Sequence, residues 1–152
     1  MDNLVREALK LDPLLQLRPP ADEAELASAE TALDLRLPHE LRRFLLQANG
    51  AMMGVELPTG EIIPDASPLI WSLSEIVERN RGLASSGDRS PSDVLFFADV
   101  GADGLLVGHP VGPDQAAAAE VVVFSPIERR ISMVAESLRE WLLGWLGGSI
   151  TV

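Results

Sequence analysis

The chain has no cysteine and no tyrosine among its 152 residues. Without cysteine there is no disulfide, no thiolate metal ligand and no thiol nucleophile, which agrees with a reducing compartment. Without tyrosine there is no tyrosine-rich recognition surface. Basic residues are scarce: 12 Lys and Arg stand against 23 Asp and Glu, a formal charge of −11. A surface that tracks nucleic-acid phosphates needs clustered Lys and Arg to release counterions, so nucleic acid is not an expected partner. The same imbalance favours a basic partner, or simply solubility. No apolar run approaches the roughly 18 residues that a bilayer span requires. The opening Met1-Asp2-Asn3-Leu4-Val5-Arg6 lacks the basic-then-apolar order of a secretory signal. The expectation is a cytoplasmic protein with no membrane partner.

What is present is enough for a core. Hydrophobic residues make up 47% of the chain, and a domain of this size buries about 68–70% of its unfolded surface. The simplest organisation is one domain over residues 1–152, with 1–20 as an N-terminal helical extension and 21–148 as the core. Leu4, Ala8 and Leu11 line the extension's helix, which ends before Pro13.

The stretch from Ala21 to Gly50 predicts two amphipathic helices. Asp22 and Glu25 have capping-box spacing, and Leu26, Ala29 and Leu33 recur at helical period. Pro38 suits a first helical residue, where its missing N–H costs nothing. Leu41, Phe44, Leu45 and Ala48 form the second stripe. Asn49-Gly50 ends it, since both residues tolerate a left-handed conformation.

Beyond Gly50 the helical period is lost. Met52, Val55, Leu57 and Ile62-Ile63 among Gly and Pro predict short strands and turns. Leu69-Ile70-Trp71 reads as a strand, and Ser72 with Glu75 opens a helix through about Arg81. Val94-Leu95-Phe96-Phe97-Ala98 and Leu105-Leu106-Val107 should pair across Asp103-Gly104. Gly108 to Ala119 is a loop whose alanine run suits a helical turn or a tolerated insertion. Val121-Val122-Val123-Phe124 and Ile131-Ser132-Met133-Val134 form another hairpin. Ser137 and Glu140 cap a last helix, with Leu138, Trp141, Leu142 and Trp145 on its core face. The predicted class is α+β: a twisted, largely antiparallel sheet with helices packed around it. Leu33, Leu41, Phe44, Leu45, Phe96, Val122, Leu138 and Trp141 should share one core.

No catalytic pattern emerges. His39 and His109 are the only histidines, no His-Glu-x-x-His occurs, and both read as ordinary surface residues. Asp99 to Gly104 lacks the alternating ligands and distant Glu of a calcium loop and reads as a hairpin turn. There is no nucleophile elbow and no phosphate-binding glycine loop. The expectation is a protein without catalytic residues, cofactor or metal.

Charge is unevenly placed. From Phe44 to Glu78, and again from Ser90 to Glu128, there is no Lys or Arg. These stretches should present an acidic surface. Partner-binding candidates are Glu56, Glu61, Asp65, Asp99, Asp103 and Asp114, with Trp71 as an apolar anchor. Trp145 is a further anchor candidate, since a short last helix could carry it out of the core.

Several motifs together carry a family resemblance: Glu25, Leu26, Ala29, Glu30 and Leu33; Leu37-Pro38 and Glu40-Leu41; Phe44-Leu45 and Asn49-Gly50. To these are added the segment from Leu69 to Ile76 and the closing segment from Val134 to Leu142. In this order they resemble the SUKH superfamily, which includes fungal cell-wall-synthesis regulators and many bacterial toxin-immunity proteins. The resemblance implies a non-enzymatic, SUKH-like domain that neutralises a cognate toxin, often a nuclease, by tight complex formation. The implied partner is a basic toxin domain. A regulatory scaffold, as among the fungal members, is the second reading. An enzyme or small-ligand binder with an unrecognised site is the third; a deep polar pocket holding a strongly perturbed group would favour it.

Overall fold

The computed structural model describes residues 3–85, 93–100 and 104–150, with backbone only at 64–68 and 84–85. Among the described residues, five helices and seven strands follow in the order α1 (Leu4–Leu11), β1 (Gln16–Leu17), α2 (Glu23–Leu33), α3 (His39–Gln47), β2 (Ala51–Glu56), β3 (Ile62–Ile70), α4 (Leu73–Ser85), β4 (Val94–Val100), β5 (Leu105–Pro110), β6 (Val121–Ser125), β7 (Arg130–Ala135) and α5 (Leu138–Gly147). The strands form a three-stranded sheet, β1-β2-β3, and a four-stranded sheet, β4-β5-β6-β7. Every strand pairing is antiparallel. The α+β class therefore holds, with two sheets rather than one. Just past β3, the Trp71 N–H donates to the Phe97 carbonyl of β4 at 2.9 Å and stitches the sheets together.

The helices begin where their side chains satisfy orphan N–H groups. Asp22 accepts from Glu25 N at 2.8 Å while Glu25 accepts from Asp22 N at 3.2 Å, a complete capping box on α2. Ser72 and Glu75 make the same reciprocal pair on α4, and Ser137 accepts from Glu140 N on α5. Pro38 is one residue off the expectation: it is the extended N-cap of α3, and the helix starts at His39.

Asn49 does more than follow a helix end. Its Oδ1 accepts from Leu73 N at 2.8 Å, so it caps α4 from a distance in sequence. The left-handed turn falls to Gly50 alone, at φ +103°, where a Cβ would sit 3.0 Å from Ser72 N.

One core joins both sheets and all the helices. α1, α3 and α5 pack together, with α5 against β7; α4 lies on β4 and runs alongside α2. Leu41, Phe44, Leu45, Phe96, Val122, Leu138 and Trp141 are buried, while Leu33 is half-buried against them. Leu11 is exposed; Leu4, Val5 and Ala8 carry the inner face of α1.

Three readings need correction. The two-residue β1 lies within residues 1–20, where the sequence suggested only a helical extension. The alanine run is neither a helical turn nor a passive insertion. Ala116 bridges Arg36 and Ala117 bridges Val111, so this loop ties the α2–α3 connection to the end of β5. Lastly, His109 is fully buried. It sits on β5 with its ring stacked on Phe97 at 4.8 Å, because the strand carries it into the sheet interior before the loop begins.

Candidate protein-binding surface

Around Trp71 the fold builds a layered polar cluster. β3 delivers the indole into the core at 1% exposure. The first turns of α4 then place Glu75 and Arg79 one turn apart, above it. The Arg79 guanidinium lies 4.6 Å from the Trp71 ring centroid, in cation–π range. Trp71 Nε1 donates to Asp99 Oδ1 at 2.9 Å. Arg79 also reaches Asp99 at 3.6 Å and Glu75 at 3.8 Å, and Arg18 holds Glu75 at 2.7 Å. Burial raises the Glu75 pKa, but hydrogen bonds from Ser72 and the charges of Arg18 and Arg79 outweigh it, so the carboxyl stays below its ordinary range. These pairs are part-exposed, so each is worth about 0–1 kcal/mol. Their sum is a fixed polar cover over Trp71. Both of its carboxylates are already engaged by arginines.

The expected contact residues do not converge on one patch. Glu56 and Glu61 are exposed together at the β2–β3 turn, which is closed by Leu57 N donating to Glu61 O at 2.8 Å. Trp71 and Asp99 meet, but inside the cluster just described. Asp114 lies on a separate loop, accepting from Ala116 N at 3.3 Å and standing 4.0 Å from Arg36. Asp65 belongs to β3, with its side chain outside the described residues, and Asp103 lies outside them altogether. Trp145 is half-buried and stacks on Trp141 at 6.5 Å.

The arginines matter by where they are spent. Arg18, Arg36, Arg42, Arg79 and Arg139 all stand beside carboxylates. Arg139 ties α5 to Glu7 of α1, and Arg42 ties α3 to Glu23 and Glu30 of α2. Much of the scarce positive charge is thus neutralised locally, and the surplus acid faces outward.

A groove of about 840 Å³ runs between α2 and α4. Small residues of α2 and Leu73 and Val77 of α4 line it, while Asp22, Glu25, Glu78 and Arg81 stand along it. The sequence reading missed this feature. Its trace in the sequence is Ala24, Ser28 and Ala32, small residues that repeat every four positions beside the core stripe of α2.

His109 answers a different question. Burial pushes its pKa down from 6.5 to about 4, against opposing contributions from the Glu120, Ala118 and Ala119 carbonyls. Its Nδ1 lies 2.9 Å from Glu120 O. A carbonyl only accepts, so Nδ1 carries the proton and Nε2 is left as a bare acceptor. Nε2 has no protein partner among the described residues. This perturbed group lies in the core and not along the groove, which is open and largely apolar. His39 is exposed on the first turn of α3. Among the described residues, no group of three or more His, Asp or Glu is placed to hold a metal ion, and no helix is long and apolar enough to cross a membrane.

A comparison with curated proteins finds no match. A model of the SMI1 / KNR4 family (SUKH-1) matches residues 20–144, from just before α2 to within α5. The capped α2, the Leu-Pro entry into α3, the Asn49-Gly50 exit and the Trp71-bearing turn into α4 all lie inside that span, and the chain belongs to the SMI1 / KNR4 (SUKH-1) family.

Proposed function

We propose that this chain is a non-enzymatic protein-binding domain that neutralises a toxin by forming a tight complex with it. Family membership supports a toxin-immunity or SMI1/KNR4-like role at the level of the family. The observation that carries the finer reading is the acidic excess of −11, with several arginines engaged beside carboxylates. A nuclease surface that meets phosphate is basic, so an acidic inhibitor complements it. In this reading Glu56, Glu61, Asp65, Asp103 and Asp114 supply long-range attraction. Complementary charge of this kind raises association rates up to about 10⁸–10⁹ M⁻¹s⁻¹ at low salt. Inhibition is by occlusion, in the cytoplasm, without chemistry on the toxin.

The test is co-expression with a candidate toxin domain, chosen from the genes that flank this one. Growth should be rescued, and the two proteins should copurify as a complex whose association slows as salt rises. Neutralisation that requires catalytic amounts of this chain, or no rescue and no complex, would remove the reading.

A further inference from the structure

We propose that the groove between α2 and α4 is the docking site for one cationic amphipathic helix of the partner. The inference rests on the protein-binding reading above and adds the surface and the recognition mode. Ala24, Ser28 and Ala32 recur at every fourth residue of α2, so one small side chain per turn forms one wall. Leu73 and Val77 repeat one turn apart on α4 and form the other. An 11-residue α2 gives this trough a length of about 16 Å, about three helical turns. Small walls leave depth, and the volume of about 840 Å³ accommodates a row of Leu-sized side chains inserted from above.

The occupant's form follows from what the walls offer. Both are helices whose backbone groups bond internally, so no strand edge is available for main-chain pairing. An entering segment must bring its own satisfied backbone and an apolar stripe at i, i+4 and i+7, which is the helix-in-groove mode. Its charge follows from the rim. Asp22, Glu25 and Glu78 are exposed there, and among the described residues Arg81 is the basic side chain beside them. The reciprocal cap bonds of Asp22 and Glu25 hold these two carboxylates in place before any partner arrives. Lys or Arg flanking the apolar stripe would meet them. The acidic loops and the groove thus have different tasks: scattered charge speeds encounter, and the groove sets how long the partner stays.

The probe is a synthetic amphipathic peptide with a leucine stripe and lysines on its other face, beside a matched peptide carrying glutamates. Binding to the full chain is followed by fluorescence anisotropy. The lysine peptide should bind saturably and more weakly at higher salt, and the glutamate peptide should not bind. Ser28→Trp, which fills the trough from an exposed helix position, should weaken binding at least about tenfold with the unfolding midpoint unchanged. Ala32→Trp does the same from the next turn and serves if the first variant is unstable. Equal binding of both peptides, or affinity untouched by both fillings, overturns the proposal. So does loss of binding on Met133→Lys, at the exposed edge strand β7, instead. If the fillings abolish peptide binding but leave toxin neutralisation intact, the groove is not the toxin site and the immunity reading stands. If the peptide binds in the groove but no toxin complex forms, the immunity reading falls and the groove stands.

Discussion

The indole of Trp71 donates its N–H to Asp99 Oδ1 at 2.9 Å, across the junction between the two sheets. Each residue is a candidate partner contact by sequence, and the fold makes each the other's neighbour. Asp99 therefore has a structural task that any charge-neutralising experiment must respect. Asp99→Asn keeps an acceptor for the indole and should cost less than about 1 kcal/mol, whereas Asp99→Ala strands a part-buried donor and should cost about 1–2 kcal/mol. Urea unfolding of the two variants separates these values. Equal losses would mean that the Coulombic contact with Arg79, and not the hydrogen bond, is what Asp99 supplies.

Asn80 makes a second connection of this kind. Its amide donates to the Ile76 and Phe96 carbonyls, both at 2.7 Å, and its Oδ1 accepts from Phe96 N at 2.9 Å. One side chain of α4 thus satisfies the backbone of β4 next to the register shift between Phe96 and Ala98. Removing it leaves two backbone groups unpaired in a part-buried position. Asn80→Ala should lose about 2–4 kcal/mol in chemical denaturation. A loss no larger than that of an exposed helix substitution would show that water replaces the amide at no cost.

The legible part of this fold is the part set by local patterns. Capping spacings located α2, α4 and α5 because a side-chain carboxylate or hydroxyl must meet an N–H three residues away. Short apolar runs and turn residues located the hairpins β4–β5 and β6–β7 for the same local reason. What depended on distant partners was not legible. β1 has only two residues and exists because β2 pairs with it. Asn49 caps a helix 24 residues onward. His109 is polar by type, and its burial was decided by the face of β5 that the sheet turned inward. The groove was not legible from the small residues of α2 alone, because its second wall belongs to α4.

Gly54 tests one such distant approach. A Cβ there would lie 1.8 Å from the Leu14 carbonyl oxygen, a backbone atom that no rotamer change can move. Gly54→Ala should force β2 away from the segment leading into β1 and cost about 1–3 kcal/mol, toward the upper end. Gly82, inside α4, faces open space and has no left-handed backbone. Gly82→Ala should instead stabilise the protein by about 0.5–1 kcal/mol, from helix propensity. Thermal unfolding of both variants gives opposite signs if the two sites are as described. A neutral Gly54→Ala would show that β2 and the Leu14 segment separate freely.

His109 predicts how the protein responds to acid. Its pKa falls from 6.5 in an unfolded chain to about 4 in the fold. Below pH 6.5 the unfolded chain takes up a proton that the folded chain refuses until near pH 4, so acid favours unfolding through that window. The stability that neutral His109 contributes is fully present above about pH 6.5 and is lost progressively as pH falls toward 4. The shift corresponds to about 3 kcal/mol. His109→Phe keeps an aromatic ring against Phe97 and removes the titration. It also removes the donor to Glu120 O, a part-buried bond whose loss lowers stability alike at every pH. The variant should therefore be somewhat less stable at pH 7.5, yet lose less stability between pH 6.5 and 4 by about that 3 kcal/mol. Urea midpoints measured across this range give the slope, and the His109 ring resonances followed by NMR give the pKa directly. Matching slopes for wild type and His109→Phe, or a ring that titrates near 6.5 in the folded protein, would show that the histidine is reached by water and that its burial carries no pH dependence.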